Sequence, residues 1–220
     1  APQLRDGAVA AVDVRLTIPA PAARAGEPLL EMAIVRATMP AALADPDALV
    51  ASDAAGPLPL ARADDPADPS NFRQDRRWSP TRDSVGDVTV AYTLTPRVIT
   101  AQTRPGPLYD MRTEGAGFYG SGHTMFALPA DGWPRRARIA FDLSAMPAGA
   151  RGASSLGESG AEAEVSKSDL SSVYVMAGPL YSQPKDGSGG FVVYWLTPPA
   201  FDLDGAARWT QKAHDYASQF

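Results

Sequence analysis

The chain has 220 residues, of which 45% are apolar and 20% charged, enough for one good hydrophobic core or two small ones. Its net charge of −5, with arginines scattered among acids, excludes the basic surface that nucleic acid requires. The absence of cysteine excludes disulfides and thiolate metal sites, and no segment approaches the ~20 apolar residues of a membrane span. We therefore expect neither nucleic acid nor a membrane span.

The first 40 residues indicate an exported protein that begins with a β-hairpin. The opening Ala1-Pro2-Gln3 suits a terminus left by cleavage after a small residue, so we expect a periplasmic or otherwise exported protein. Apolar and polar residues alternate from Val12 to Ile18, which is typical of a half-buried strand. Residues 29–38 are mostly β-branched or apolar and lie between two prolines. They predict a second strand that pairs with the first.

Between residues 40 and 86 the pattern is less regular. Residues 41–55 have apolar positions compatible with a short helix, at Leu43, Leu49 and Val50. Residues 56–86 include a cluster of Asp, Pro and Ser that sustains neither the helical nor the strand period, so we predict a long surface loop. The acids at 64–70 lack the residue order of a calcium loop, which favours a solvated turn cluster.

From residue 88 onward the sequence predicts short antiparallel strands. The first, Val88 to Leu94, has apolar residues on both sides, as in a strand that is covered on both faces. Further strands are predicted at 108–113, 124–128, 138–143, 172–176 and 191–196. Parallel strands need helical crossovers, and almost no helix-length segment lies between these strands. We therefore expect residues 1–200 to form a mainly β domain, an antiparallel β-sandwich.

Residues 201–220 differ, because they predict an amphipathic C-terminal helix. Asp202 or Asp204 can cap its start by accepting a backbone N–H bond. Apolar residues recur at three- and four-residue steps, at Ala206, Trp209, Ala213, Tyr216, Ala217 and Phe220. The helical pattern still runs at Phe220, so we expect the front part of a longer protein. Trp209, Tyr216 and Phe220 must bury on the sandwich or, as we expect, in an interdomain contact with a downstream domain.

The sequence lacks motifs for catalysis or cofactor binding. It has two histidines, His123 and His214, so a His-Glu-x-x-His zinc pair is excluded. Ser121 does not form a nucleophile elbow, because Tyr119 and His123 occupy the two places where Gly-x-Ser-x-Gly needs glycines. No Gly-rich phosphate-binding motif occurs. We expect no catalytic residue, no metal site and no cofactor in this chain.

A glycine-rich segment at 115–122 contains one candidate ligand-contact residue and directly precedes the other, and its backbone can come close to a ligand. These candidates are Tyr119 and His123. The alternative is that the glycines permit bulges or positive φ while the imidazole binds a nearby carbonyl. A second set, either an anion or peptide-carboxylate surface or a solvated loop, comprises Arg73, Arg76 and Arg77.

Three segments after residue 86 share a pattern with a known family. They read Asp-Val-Thr-Val-Ala-Tyr at 87–92, Gly-Phe-Tyr-Gly-Ser-Gly-His-Thr-Met-Phe-Ala-Leu-Pro at 117–129 and Ala-Arg-Ile-Ala-Phe-Asp-Leu at 137–143. A turn at 146–156 and a strand at 170–180 extend the pattern. Residues 87–220 resemble the N-terminal region of the glycyl aminopeptidase family of gluzincin metallopeptidases.

The resemblance implies a saddle-like β domain that packs against a thermolysin-like catalytic domain. The implied function is non-catalytic: the chain would support or shape the substrate cleft, while zinc and a peptide substrate bind the downstream domain of the same polypeptide. The chain alone is then expected to be inactive, although its full-length parent is a zinc metallopeptidase. The residues leave two alternatives: a free-standing carbohydrate- or peptide-binding module that uses Tyr119, His123, Trp133 or Trp195, and a purely structural module.

Overall fold

The computed structural model describes residues 1–43, 45, 48–103, 106–185, 187 and 191–219. Its strands are β1 (Pro2–Arg5), β2 (Ala8–Ile18), β3 (Leu30–Arg36), β4 (Met39–Pro40), β5 (Val50–Asp53), β6 (Gly56–Pro57), β7 (Leu60–Asp64), β8 (Arg73–Pro80), β9 (Val88–Leu94), β10 (Arg112–Glu114), β11 (Gly117–Ser121), β12 (Leu128–Pro129), β13 (Arg135–Arg138), β14 (Arg151–Ser154), β15 (Gly157–Glu158), β16 (Glu162–Val165), β17 (Tyr174–Gly178), β18 (Tyr181–Gln183) and β19 (Val193–Trp195). Its helices are α1 (Gly122–Met125), α2 (Lys167–Ser172) and α3 (Leu203–Ala217). None of these helices is long and apolar enough to cross a bilayer.

The described strands form three larger sheets, in which every pair is antiparallel. Sheet A has the order β1-β2-β9-β5-β6, and sheet B has the order β12-β3-β8-β7 with β4 beside β3. Sheet C has the order β10-β11-β17-β14-β15, and two hairpins, β13-β16 and β18-β19, complete the set. The expected fold class is confirmed, since the chain is mainly β with antiparallel sheets and a C-terminal helix.

One hydrophobic core joins the three sheets. Sheet A contributes Val88, Val90, Tyr92 and Leu94, which alternate with half-buried residues along β9. The Tyr92 hydroxyl donates to the Met125 carbonyl (3.0 Å) and accepts from the Ala127 N–H (3.1 Å). Complete burial raises the pKa of this phenol, which stays neutral. The buried hydroxyl therefore ties sheet A to the segment that carries α1.

The predicted opening hairpin is wrong, although both of its strands exist. β2 pairs with β1 and β9 in sheet A, whereas β3 pairs with β4, β8 and β12 in sheet B. The connecting segment does not turn back, because its backbone bonds to β8: Gly26 N–H to the Pro80 carbonyl (2.8 Å) and Leu29 N–H to the Trp78 carbonyl (2.9 Å). It crosses from one sheet to the other.

The predicted helix at 41–55 is also wrong within the described residues, which exclude Ala44, Pro46 and Asp47. This region contains β5, and Leu43 forms a bridge with Leu94. Leu49 is buried while Val50 is 61% exposed, so these neighbours point to opposite sides, as strand geometry requires.

The predicted loop at 56–86 contains β6, β7 and β8. These strands were not recognised in the sequence because they carry aspartates and arginines, which pair with each other across β7 and β8. The Arg76–Asp64 and Arg77–Asp65 distances are 2.5 and 2.7 Å. Opposite charges on facing strands stabilise a sheet without the apolar alternation by which strands are recognised. The acids at 64–70 belong to these pairs and to a turn in which Asp68 accepts from Ser70 N–H (2.9 Å).

The later strands match their predicted positions unevenly. The segments predicted at 172–176 and 191–196 contain most of β17 and all of β19, and the segment at 108–113 overlaps β10 at its last two residues. The segment at 138–143 is wrong beyond Arg138, where β13 ends, because residues 139–143 do not lie in a strand. The segment at 124–128 is not one strand, because α1 ends at Met125 and β12 begins at Leu128. The C-terminal helix is confirmed, and its N-cap is Asp202, which accepts from Gly205 N–H (3.0 Å). The expectation that the helix runs on to Phe220 is wrong, because α3 ends at Ala217 and Ser218 is its C-cap.

The Asp53 carboxylate should give the fold a specific acid sensitivity. It accepts two bonds from Arg82 (2.6 and 2.9 Å) and one from Val85 N–H (2.9 Å), and the bonds from Arg82 hold its pKa well below the usual range. Because the pKa of Asp53 is lower in the folded state than in the unfolded state, its ionised carboxylate stabilises the fold. This contribution is complete above the unfolded pKa of about 3.9 and is lost as the pH falls toward the folded pKa. Asp53→Asn should therefore show a smaller fall of thermal midpoint than wild type on acidification below about pH 4.

The matched control is Asp6→Asn, at an exposed turn residue with φ of 51°. Melting curves between neutral and acidic pH should coincide for this control and wild type. If the thermal midpoints of Asp53→Asn and wild type fell equally on acidification, the role given to Asp53 would be contradicted.

Candidate functional site

His123 lies in α1, a single helical turn that follows β11. The side chain of Ser121 caps the turn by accepting from His123 N–H (3.4 Å), and Phe126 N–H donates to the Gly122 carbonyl (3.0 Å). A Cβ atom at Gly122 would lie 2.6 Å from the Leu170 carbonyl oxygen of α2. Glycine is therefore required for α1 to approach α2, and this approach brings His123 beside the end of α2.

The His123 ring is partly buried between an aromatic and a hydroxyl. It meets the Tyr109 ring edge-on, with centroids 4.9 Å apart, and its Nε2 lies 3.5 Å from the Ser172 Oγ. Partial burial lowers the pKa of His123, and the positive charges of Arg36 and Arg73 lower it further. The imidazole is therefore neutral at neutral pH and can donate or accept one hydrogen bond at each nitrogen.

Tyr119 occupies a different position, on the outer face of sheet C. It packs beside a small apolar cluster of Ala153, Leu180 and Leu196, whereas Phe118 points into the main core. Tyr119 and His123 thus contact different residues. Their proposed role as ligand contacts stays a prediction.

A buried carboxylate beside Tyr109 escaped the sequence analysis. Asp110 is 2% exposed and binds two arginines, Arg97 Nη1 at 3.1 Å and Arg112 Nε at 2.9 Å. The bond to Asp110 raises the pKa of Arg112. The Asp-x-Arg spacing at 110 and 112 was the available signal, because a strand is predicted at 108–113 and residues two apart share one face of a strand. In the structure Asp110 precedes β10, which begins at Arg112. This triad anchors the segment that positions Tyr109 under His123.

The α3 helix presents two uncovered aromatic rings. Trp209 is 72% exposed and Tyr216 is 66% exposed. The side toward the domain is formed by the half-buried Leu203, the buried Ala207 and the half-buried Gln211. The predicted aromatic face therefore does not pack on the sheets. Phe220, the third predicted contact, lies outside the described residues.

The β18-β19 hairpin carries a second aromatic pair. Tyr181 and Trp195 face each other across the strands, with centroids 6.2 Å apart and ring planes 9° from parallel. Tyr181 is 49% exposed, while the Trp195 Nε1 is buried without a hydrogen-bond partner among the described residues. The Tyr181 residue of this pair is therefore accessible to solvent.

The remaining sequence candidates have structural roles. Arg73, Arg76 and Arg77 each pair with an aspartate. This pairing is expected of a solvated charged surface, and it is not expected if all three arginines together bind an anion. Ser121 is completely buried and caps α1. In the part of the chain that the structure describes, no group of three or more acidic or histidine side chains is placed to hold a metal ion.

Comparison with known proteins yields a distant structural likeness. No protein-family model matches the chain. No curated protein matches it either. A crystal structure of an aminopeptidase N family protein from Idiomarina loihiensis is similar, with 13% sequence identity and a TM-score of 0.49. The match covers 78% of this chain and 27% of that protein, so the chain spans about a quarter of its length.

Proposed function

We propose that this chain is a non-catalytic N-terminal domain of an aminopeptidase-like zinc metallopeptidase. It docks on the downstream catalytic domain through the exposed face of α3 and supports or shapes the substrate cleft. The observation that carries the proposal is the exposure of Trp209 and Tyr216, which lie seven residues apart and therefore on one face of α3. Burial of each ring would contribute about 1.5–3 kcal/mol, and uncovered clusters of this kind mark interaction surfaces.

The class of partner comes from the sequence. Residues 87–220 resemble the N-terminal region of the glycyl aminopeptidase family, in which such a domain packs on the catalytic domain. Zinc and peptide substrate belong to that downstream domain in this proposal. The chain supplies the docking surface.

The first test is the intact mass of the protein in its source, together with the sequence that follows Phe220. We expect a mass well above 23.1 kDa and a continuation with His-Glu-x-x-His and a distal Glu. A natural protein of 23.1 kDa would overturn the proposal. The free-standing binding module would then take first place, because Tyr181, which is parallel to Trp195 and 49% exposed, offers an aromatic surface for a carbohydrate or peptide.

The docking face can be tested in the full-length protein with Trp209→Ser and Tyr216→Ser combined. Loss of two buried rings should weaken the coupling between domains by about 3–6 kcal/mol. We expect two separate unfolding transitions in calorimetry where wild type shows one, and a lower kcat/KM for a peptide substrate.

Phe72→Ser is the matched control for this experiment, since Phe72 is also exposed (59%) but lies in the turn before β8. The control should behave as wild type in both measurements. Unchanged unfolding and activity in the double variant would rule out docking through α3.

A further inference from the structure

A cavity of about 250 Å³ lies between the edges of sheets A and B. Strand β5 lines it on the side of sheet A, while β7 and β8 line it on the side of sheet B. Leu58 and Pro59, which connect the edge strands β6 and β7, also line it. A cavity of about 150 Å³ can hold benzene, so this cavity has room for an aromatic ring and a short chain. Its size matches a small ligand.

The floor of this cavity is apolar, and its mouth carries a positive charge. Leu58 and Trp78 are 1% and 2% exposed, so they form the floor. Val50 is 61% exposed and Arg62 is also exposed, so these two residues lie at the mouth. Among the described lining residues, all except Arg62 are apolar. Apolar side chains offer water few hydrogen-bond partners, so an apolar ligand group displaces this water favourably.

Hydrogen bonds hold the wall of the cavity in place. The Leu58 N–H donates to the Ala51 carbonyl of β5 (2.9 Å), and the Thr81 N–H donates to the Pro59 carbonyl (2.9 Å). The connection between β6 and β7 is therefore bonded on both sides, to sheet A and to the segment that follows β8. A preformed cavity binds a ligand without the cost of ordering a loop.

Arg62 lies beside Trp78 at this cavity. The two residues are direct partners across β7 and β8, so their side chains leave the same face of sheet B. A guanidinium has five N–H donors and binds a carboxylate through two parallel bonds. The charge of Arg62 also acts on Asp64, and five donors allow both interactions. A ligand whose apolar part meets Trp78 can therefore place a carboxylate at Arg62.

We infer that this cavity binds a small carboxylate with an apolar body, such as an arylalkanoate. The apolar body fills the cavity above Leu58 and Trp78, and the carboxylate accepts paired N–H bonds from Arg62 at the mouth. Both parts of the ligand are needed, because an exposed guanidinium binds a lone carboxylate weakly in water. The inference does not depend on the domain docking proposed above, since the described lining residues belong to 49–62 and 78 and not to α3.

Two-dimensional amide NMR of the purified chain tests this site with three ligands, at constant pH and ionic strength. Phenylpropionate carries a ring and a carboxylate, phenylpropanol lacks the carboxylate, and acetate lacks the ring. We expect saturable binding of phenylpropionate and about tenfold weaker binding of phenylpropanol, because a charged hydrogen bond is lost. Acetate should not bind saturably. The amide shifts caused by phenylpropionate should centre on residues 49–51 and 60–62, which line the cavity or lie between its lining residues.

Substitutions at residue 62 decide the assignment. Arg62→Gln should bind phenylpropionate and phenylpropanol almost equally, so that the tenfold preference disappears. Arg62→Lys keeps the charge but loses the paired bonds, and it should retain a smaller preference.

Arg77→Gln is the matched control, because Arg77 precedes Trp78 on β8, points to the opposite face of sheet B and pairs with Asp65. This control should keep the preference of wild type. Lack of saturable binding of phenylpropionate, amide shifts centred away from the cavity, or an unchanged preference in Arg62→Gln would overturn the inference.

Discussion

Replacing Trp78 with alanine should lower the free energy of unfolding by about 3–5 kcal/mol. Trp78 is 2% exposed, lies on the central strand β8 and faces Leu30 of β3 in the core. Truncation removes the largest ring of sheet B from the cluster that joins the three sheets. A cavity would remain, because the strands on both sides of β8 hold the backbone in place.

Trp209→Ala is the matched control, because the same atoms are removed from a ring that is 72% exposed. Its effect on the stability of this chain should stay within about 0.5 kcal/mol. Urea unfolding followed by circular dichroism measures both variants. Equal stabilities for Trp78→Ala and Trp209→Ala would show that the three sheets do not depend on the Trp78 ring.

Asp110→Asn should destabilise the chain by about 3 kcal/mol. The substitution keeps the shape of the side chain but removes the only charge that Arg97 and Arg112 share among the described residues. Both guanidinium groups are about a fifth exposed, at 22% and 23%, so their desolvation is left uncompensated. Release of the segment that carries Tyr109 should also alter the ring resonances of His123, which contacts Tyr109.

Glu162→Gln is the control for this prediction, because Glu162 pairs with the exposed Arg136 at 2.7 Å. Exposed pairs contribute about 0–1 kcal/mol, so the control should unfold almost as wild type. A smaller effect of Asp110→Asn than of Glu162→Gln would contradict the structural role of the buried triad.

Two strands were predictable from the sequence. Residues 12–18 lie in β2, because a side-chain period of two with one face buried leaves a direct pattern in the residues. Residues 88–94, predicted as a strand covered on both faces, form β9, whose residues alternate between buried and half-buried. The start of α3 was equally readable from the Asp202 cap. Strands β7 and β8 could not be predicted, because they have cross-strand ion pairs in place of an apolar alternation.

The surroundings of the candidate residues could not be predicted. His123 was singled out for the glycines before it, but its neighbours Tyr109 and Ser172 come from other parts of the chain. No local pattern records such proximity. The segment at 124–128 was misassigned for the same reason, since α1 depends on the approach of Gly122 to the α2 backbone.

The sequence by itself determined the mainly β class, the capped C-terminal helix and the lack of known catalytic motifs, since these depend on local periodicity, capping and residue inventory. Only the tertiary structure decided that β2 and β3 belong to different sheets and that the rings of Trp209 and Tyr216 on α3 stay exposed. These outcomes depend on which distant segments meet. Strand pairing and burial are settled by the competition among all possible contacts, and no single segment contains that information.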